Sequence, residues 1–137
     1  MDSYEKVNAA IENVSPYLDA NQDRNVPKTI EQRPWGRFEC FTKNAPCTVK
    51  LIYLDGDKRL SLQYHKYRDE FWNVVTGPVQ VQLEDKTKML MTGDTILIPK
   101  RAVHRLVGAG VDVIVLEVSF GNFDEADIVR LQDDYRR

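Results

Sequence analysis

The sequence has few of the residues that mark thiol chemistry or disulfide-rich folds. It contains two cysteines, Cys40 and Cys47, among 137 residues. They flank a predicted turn, and neither belongs to a cysteine pair at metal-ligand spacing, so we interpret both as reduced packing residues. A disulfide scaffold and a cysteine nucleophile are therefore not expected.

Long apolar runs and an excess of one charge are also missing. No stretch approaches the roughly 18 apolar residues that a transmembrane helix needs. The N-terminus shows no basic region followed by an apolar block, so we expect a cytoplasmic protein without a membrane partner. The net charge of −2 argues against a nucleic acid partner.

The first 32 residues differ in pattern from the rest of the chain. Apolar residues at Tyr4, Val7, Ile11, Val14 and Leu18 recur at helical spacing and predict one amphipathic helix. The polar segment 19–32 is interpreted as a connector. We therefore expect an N-terminal helix and connector over 1–32 and a single domain over 33–137.

The pattern within that domain is β-rich. Nine short runs lie between turn residues, namely RFECFTK, TVKLIYL, RLSLQY, EFWNVV, VQVQLE, KMLM, TILIP, HRLVG and VDVIVLEVS. No helix fits between them, and parallel strands need long connections, so the pattern predicts an all-β antiparallel sandwich or closed barrel. The tail from Phe123 onward is polar and predicts a short helical or irregular segment. Trp35 and Trp72 are interpreted as core residues.

The two histidines lie beside other potential metal ligands. Gln63 and His65 project to the same face of a predicted strand, and Glu70 can return to that face from the next strand. His104 lies beside a later strand. Imidazole, carboxylate and amide groups together suit a divalent ion, and zinc, manganese, iron and nickel all fit such a set. An ordinary solvated sheet face is the alternative that spacing alone leaves open.

Two motifs resemble those of the cupin superfamily. His65, four residues, Glu70, six residues and Gly77 match the first motif, and Gly93, five residues, Pro99 and then His104 match the second. Gln63 stands where the first motif has its first histidine. That substitution is similar to the C-terminal cupin domain of type II mannose-6-phosphate isomerases, as are the segments RPWG, RLSLQYH, EFWNVVTG and DIVR, which extend the resemblance over 33–137.

The resemblance implies a double-stranded β-helix fold that holds one divalent metal ion. It places the metal ligands on Gln63, His65, Glu70 and His104, with zinc the first choice and manganese, iron or nickel as alternatives. The implied reaction interconverts mannose 6-phosphate and fructose 6-phosphate. Family members often carry a guanylyltransferase domain, which has no counterpart in this sequence, so we expect only the isomerase half.

Further residues follow as candidates for catalysis and substrate binding. Glu117, among apolar neighbours, is the candidate base, with a structural hydrogen-bonding role as the alternative. Arg130, in the DIVR segment, is the first choice for the phosphate, since arginine binds oxyanions bidentately. The remaining predicted substrate-binding residues are Arg33, Lys100, Arg105 and Tyr67.

Three of the departures from the family pattern concern the pocket around the metal. Tyr67 and Phe71 stand where the family commonly has histidine, and Ser119 stands where it commonly has glutamine. We expect these residues to line the pocket and to affect turnover. They leave open a non-catalytic metal-containing cupin that binds a sugar or sugar phosphate and, less favoured, an iron-dependent oxygenase. A homodimer is expected, because small cupins often pair.

Overall fold

The regular structure of residues 28–135, the part of the chain that the computed structural model describes, is entirely β-strand. The strands are β1 (Thr29–Arg33), β2 (Gly36–Cys40), β3 (Cys47–Leu54), β4 (Leu62–Tyr64), β5 (Glu70–Thr76), β6 (Val79–Leu83), β7 (Lys86–Leu90), β8 (Thr95–Ile98), β9 (His104–Gly108), β10 (Val113–Phe120) and β11 (Val129–Gln132). All pairings between them are antiparallel. The predicted all-β fold is confirmed, and each of the nine predicted runs contains a strand. Within these residues no helix is long and apolar enough to cross a membrane.

The chain divides into two compact units, one up to Ala45 and the other from Pro46 onward. The described part of the first unit is the hairpin of β1 and β2. Residues 29–32 were predicted as part of a connector, and that prediction is wrong: Thr29 and Ile30 are β-branched and favour extended backbone, and β2 pairs with them along their length. The predicted helix lies outside the described residues, and the predicted domain boundary stays a prediction.

The turn of this hairpin contains Trp35. Its side chain is 73% exposed, so the prediction that it lies in the core is wrong. At the tip of the hairpin, neither β1 nor β2 covers the indole. Trp72 is 1% exposed, as predicted for a core residue.

The second unit consists of two sheets whose inner faces meet. The four-stranded sheet has the order β3-β10-β5-β8, and the five-stranded sheet has the order β11-β4-β9-β6-β7. The ring of Trp72 on β5 lies 5.4 Å from the ring of His104 on β9, edge to face. Val74 from one sheet and Val81 and Leu106 from the other are almost fully buried. Because side chains alternate along each strand, every second residue reaches this interior.

The C-terminal segment forms a strand rather than the predicted helical tail. β11 pairs with β4, with Val129 opposite Tyr64 and Arg130 opposite Gln63. β4 has only three residues, and without β11 one of its edges would leave backbone donors and acceptors unpaired. The polar pattern of the segment did not reveal this pairing, which depends on residues more than sixty positions away in the chain.

Candidate metal centre

Three buried side chains converge between the two sheets. His65 follows β4, Glu70 begins β5 and His104 begins β9, and each is at most 2% exposed. One ligand atom from each residue lies within 4.8 Å of the others. Strand register contributes to this convergence. Gln63 on β4 lies directly opposite His104 on β9, opposite residues of an antiparallel pair share a face, and His65 comes two residues after Gln63.

The two imidazoles have the same internal orientation. His65 Nδ1 lies 2.7 Å from the carbonyl oxygen of Asp127, and His104 Nδ1 lies 2.8 Å from that of Ala102. A carbonyl oxygen can only accept, so each Nδ1 carries a hydrogen and donates it. The Nε2 atoms of both rings are therefore the nitrogens that face the centre.

Within residues 28–135, two buried atoms of the cluster have no hydrogen-bond partner. They are Nε2 of His104 and Oε2 of Glu70. A lone pair left unsatisfied in the interior costs about 1–3 kcal/mol. Burial lowers the pKa of His104, which keeps its imidazole neutral and able to bind a cation. Burial alone would raise the pKa of Glu70, but the hydrogen bond and the charge of His65 outweigh it and lower that pKa to about 2.

His65 and Glu70 also contact each other. His65 Nε2 lies 2.7 Å from Glu70 Oε1. Burial works against the charged imidazole, but the hydrogen bond with Glu70 prevails and the pKa of His65 is raised. A cation bound at this point would take the place of the proton that the two groups share.

The amide of Gln63 lies at the edge of the cluster. Its Nε2 is 3.4 Å from His65 Nε2, and its Oε1 accepts a hydrogen bond from the Ser61 hydroxyl at 2.6 Å. The structure thus brings Gln63 to the three buried residues with its nitrogen towards His65. A half-turn of the amide would present the oxygen instead, and the Ser61 hydroxyl can pair with either atom because it both donates and accepts.

Arg68 belongs to the cluster and was not predicted from the sequence. Its side chain is 6% exposed, and its Nε donates to Glu70 Oε1 at 3.0 Å. Nη1 donates to the carbonyl oxygen of Asp124 at 2.9 Å, and the guanidinium lies 4.4 Å from the centre of the Phe123 ring. A buried carboxylate requires a counter-charge. The signal available in the sequence was a basic residue between two candidate ligands, two positions before the glutamate.

Glu117 lies beside Glu70 on the inner face of the four-stranded sheet. The indole Nε1 of Trp72 donates to its Oε2 at 3.1 Å, and the Ser119 hydroxyl donates to its Oε1 at 3.3 Å. Burial, and then the negative charge of Glu70, raise the pKa of Glu117 to about 7. The structure thus places both the predicted base and Ser119 in the interior.

Three of the predicted substrate-binding residues lie near the ligand loop 65–69 or share the ligand face. Arg130 is exposed and lies opposite Gln63 in the sheet, which puts it on the same face as His104. Lys100 is exposed, and its backbone N–H donates to Asp69 of this loop at 2.7 Å. Tyr67 lies within the loop and is 77% exposed.

Two other predicted residues of the same unit, Arg105 and Phe71, are not brought to the centre. Arg105 follows His104 on β9, so strand alternation sends its side chain to the opposite face, where Nη2 donates to Gln132 at 2.9 Å. Phe71 follows Glu70 on β5 and leaves the ligand face for the same reason, so the expectation that it lines the pocket is wrong. Arg33 belongs to the other unit, where its guanidinium pairs with Glu31.

The cluster fits a divalent cation on the chemistry of its own donors. Glu70 and His104 each present a buried atom without a partner, and His65 presents Nε2 with its other nitrogen already engaged. Imidazole and carboxylate donors are ligands that zinc and other first-row divalent metals accept. Each histidine also has the carbonyl partner that orients metal-bound imidazoles in proteins.

Known sequences that are similar to this chain include a family model and several bacterial proteins. A family model described as mannose-6-phosphate isomerase C-terminal matches residues 19–133. The alginate biosynthesis protein AlgA of Pseudomonas aeruginosa is 40% identical over 130 residues, covering 93% of this chain and 27% of that protein. The mannose-1-phosphate guanylyltransferase ManC of Salmonella typhimurium is 35% identical over 121 residues, covering 87% and 25%. The chain spans about a quarter of the length of these curated relatives.

Solved structures share the fold at lower identity. A sugar phosphate isomerase of the cupin superfamily from Silicibacter pomeroyi has a TM-score of 0.53 and 19% identity, with 65% of this chain and 69% of that one covered. A conserved protein with a double-stranded β-helix domain from Klebsiella pneumoniae has a TM-score of 0.56 and 17% identity, covering 64% and 76%. The predicted cupin fold is thereby confirmed.

Proposed function

The chain belongs to the mannose-6-phosphate isomerase C-terminal family, and on that premise we propose that it is a metal-dependent aldose-ketose isomerase acting on sugar phosphates. The proposed substrate is mannose 6-phosphate and the product is fructose 6-phosphate. One observation carries the proposal: Glu70 Oε2 and His104 Nε2 are buried without partners beside a third donor, His65. This arrangement suits a bound cation rather than a packed core.

The proposed metal ligands are Gln63, His65, Glu70 and His104, and zinc is the proposed ion. Manganese, iron and nickel are the alternatives, since the same donors accept them. When bound, a divalent ion supplies a Lewis acid that polarises a sugar carbonyl and stabilises the negative charge that develops on its oxygen. Four protein donors still leave room for a substrate oxygen if the ion takes five or six ligands.

Isomerisation also requires a proton to move between C2 and C1 of the sugar. Glu117 is the proposed base. It is buried on the inner face beside Glu70, and the donors from Trp72 and Ser119 hold its carboxyl in one position. A carboxylate fixed in this way transfers a proton without first reorganising water.

The phosphate of the substrate requires cations near the opening of the site. Arg130 and Lys100 are proposed for this role, since both are exposed, Arg130 shares the ligand face, and the Lys100 backbone is bonded to the ligand loop. Tyr67 is proposed to contact the sugar. Arg68 is not proposed for the phosphate, because Glu70 and backbone carbonyls already engage its guanidinium.

A second candidate function is a metal-containing cupin that binds a sugar phosphate without converting it. The observation that favours it is the environment of Glu117, whose two oxygens both accept hydrogen bonds from protein groups. A carboxylate held in this way can be structural. The two candidates share the metal centre and differ only in proton transfer.

Proton transfer can be measured separately from binding. The zinc-loaded protein would be incubated in D2O with mannose 6-phosphate, and deuterium at C2 and the appearance of fructose 6-phosphate would be followed by NMR. The proposal predicts both. Saturable binding of mannose 6-phosphate with neither deuterium incorporation nor fructose 6-phosphate would support the second candidate and contradict the first. Failure to bind any divalent metal would contradict both.

A further inference from the structure

Asp127 contacts the ligand loop 65–69 from the far end of the chain. We infer that Asp127 is a positioning residue that holds His65 in the orientation and tautomer required of a metal ligand. This inference rests on the metal centre of the proposed function, but not on the reaction that the centre supports. The sequence pattern DIVR directed attention to Arg130 and left its first residue without a role.

Four hydrogen bonds join Asp127 to four consecutive residues, and the longest of them runs from Arg68 Nη1 to the Asp127 carbonyl oxygen at 3.4 Å. Its carboxylate accepts the backbone N–H of Lys66 at 2.8 Å and that of Tyr67 at 3.1 Å, with a different oxygen for each. Its carbonyl oxygen accepts Nδ1–H of His65 at 2.7 Å. One residue therefore holds both the backbone after the ligand and the ring of the ligand itself.

The carbonyl contact sets which nitrogen of His65 faces the centre. Because the carbonyl can only accept, it keeps the hydrogen on Nδ1 and leaves Nε2 pointing towards Glu70. Partners of this kind orient metal-bound imidazoles and raise their basicity. His104 has the same kind of partner in Ala102, two residues before it.

Asp127 is itself held in place by contacts of its own backbone and of the strand that follows it. Its N–H donates to the carbonyl oxygen of Asp124 at 3.0 Å, and β11 begins two residues later and pairs with β4. The carboxylate bonds are charge-assisted and so about twice as strong as neutral ones. Moving Asp127 would therefore move the backbone acceptor on which the His65 ring depends.

Removing the carboxylate tests this inference through metal affinity. Asp127→Ala deletes both acceptors, Asp127→Asn keeps one, and Asp124→Asn is the matched control, since among the described residues the side chain of Asp124 bonds only to Ala126 in its own turn. Zinc affinity would be measured by competition with a chromophoric chelator, at a temperature where circular dichroism shows all variants folded. We expect affinity to fall about 10- to 100-fold in Asp127→Ala, less in Asp127→Asn, and not at all in Asp124→Asn.

A spectroscopic measurement separates positioning from a merely structural role. The visible absorption of the Co²⁺-loaded protein reports ligand geometry, and we expect it to change in Asp127→Ala but not in Asp124→Asn. Zinc should also slow hydrogen exchange at the Lys66 and Tyr67 amides of the unmodified protein. If Asp127→Ala does not fold, Asp127→Asn and the exchange measurement decide the question.

The outcomes distinguish this inference from the proposed function. If the unmodified protein binds no zinc, the metal centre itself is wrong. If it binds zinc and the Asp127 variants bind it equally tightly with an unchanged Co²⁺ spectrum, the centre stands and the role inferred for Asp127 is wrong.

Discussion

The four-stranded sheet brings carboxylates to the interior, whereas the five-stranded sheet brings nitrogen donors. Glu70 and Glu117 come from β5 and β10, and His104 comes from β9. The carboxylate side is paired except at one atom: Arg68, Trp72 and Ser119 donate to its other oxygens, and Oε2 of Glu70 has no partner among the described residues. On the five-stranded sheet, Nε2 of His104 has no hydrogen-bond partner among the described residues. The difference indicates that a cation between the sheets would complete the bonding of both.

The two histidine rings are held by partners at different distances along the chain. The ring of His104 is oriented by a carbonyl two residues away, and the ring of His65 by one sixty-two residues away. The orientation of His104 depends on the one loop before β9. The orientation of His65 depends on correct pairing of β11 with β4, so it is the more easily disturbed of the two.

The largest effect is expected from Glu70→Gln, which breaks the buried ion pair between Arg68 and Glu70. This change removes a proposed ligand and leaves the buried Arg68 without its counter-charge, which costs about 3–5 kcal/mol. The free energy of unfolding of the metal-free protein, measured in urea, should fall by that amount. Glu125→Gln is the control, because its pair with Lys50 is exposed and should be worth about 0–1 kcal/mol. Equal losses in both variants would contradict the account of Arg68.

An effect of similar energy, but confined to turnover, is expected from Glu117→Gln. The amide retains an oxygen that can accept from Trp72 or Ser119, but it cannot take a proton, so kcat should fall about 10²- to 10⁴-fold while zinc remains bound. Steady-state kinetics and metal content would be measured on the same sample. Ser119→Ala is the control, since it removes one donor and leaves the carboxylate. Full activity in Glu117→Gln would show that the carboxylate side serves structure alone.

The smallest effect is expected at the edge of the five-stranded sheet, from Arg130→Ala. Loss of one charged hydrogen-bond donor to a phosphate corresponds to about 1.5–3 kcal/mol, or about a 10- to 100-fold rise in KM with metal affinity unchanged. Lys86→Ala, in the strand at the other edge of this sheet, is the control. A fall in kcat at constant KM would place Arg130 outside the phosphate site.

The sequence predicted most of the strands because their signal is local. β-Branched or aromatic residues between turn residues mark most of them, and the spacing of His65, Glu70 and His104 indicated three groups that the structure brings together. The strands that the sequence did not reveal are β1 and β11. Their residues become strands through pairing, and for β11 the partner lies more than sixty residues away.

The errors at the site have physical causes of the same kind. Arg105 and Phe71 are each adjacent in sequence to a proposed ligand, and adjacency along a strand means the opposite face. Arg68 and Asp127 were missed because each acts through contacts that only the folded chain creates. Sequence reasoning therefore found the groups that face the centre more readily than those that hold them in place.

The most direct test of the two-sheet metal centre is a zinc titration of His104→Ala beside the unmodified protein. This variant removes the donor of the five-stranded sheet and leaves His65, Glu70 and Arg68 unchanged. The account predicts one zinc ion per chain in the unmodified protein and at least about a hundred-fold weaker binding in the variant, given the energy that a metal-ligand bond contributes. One ion bound with unchanged affinity in His104→Ala would contradict it.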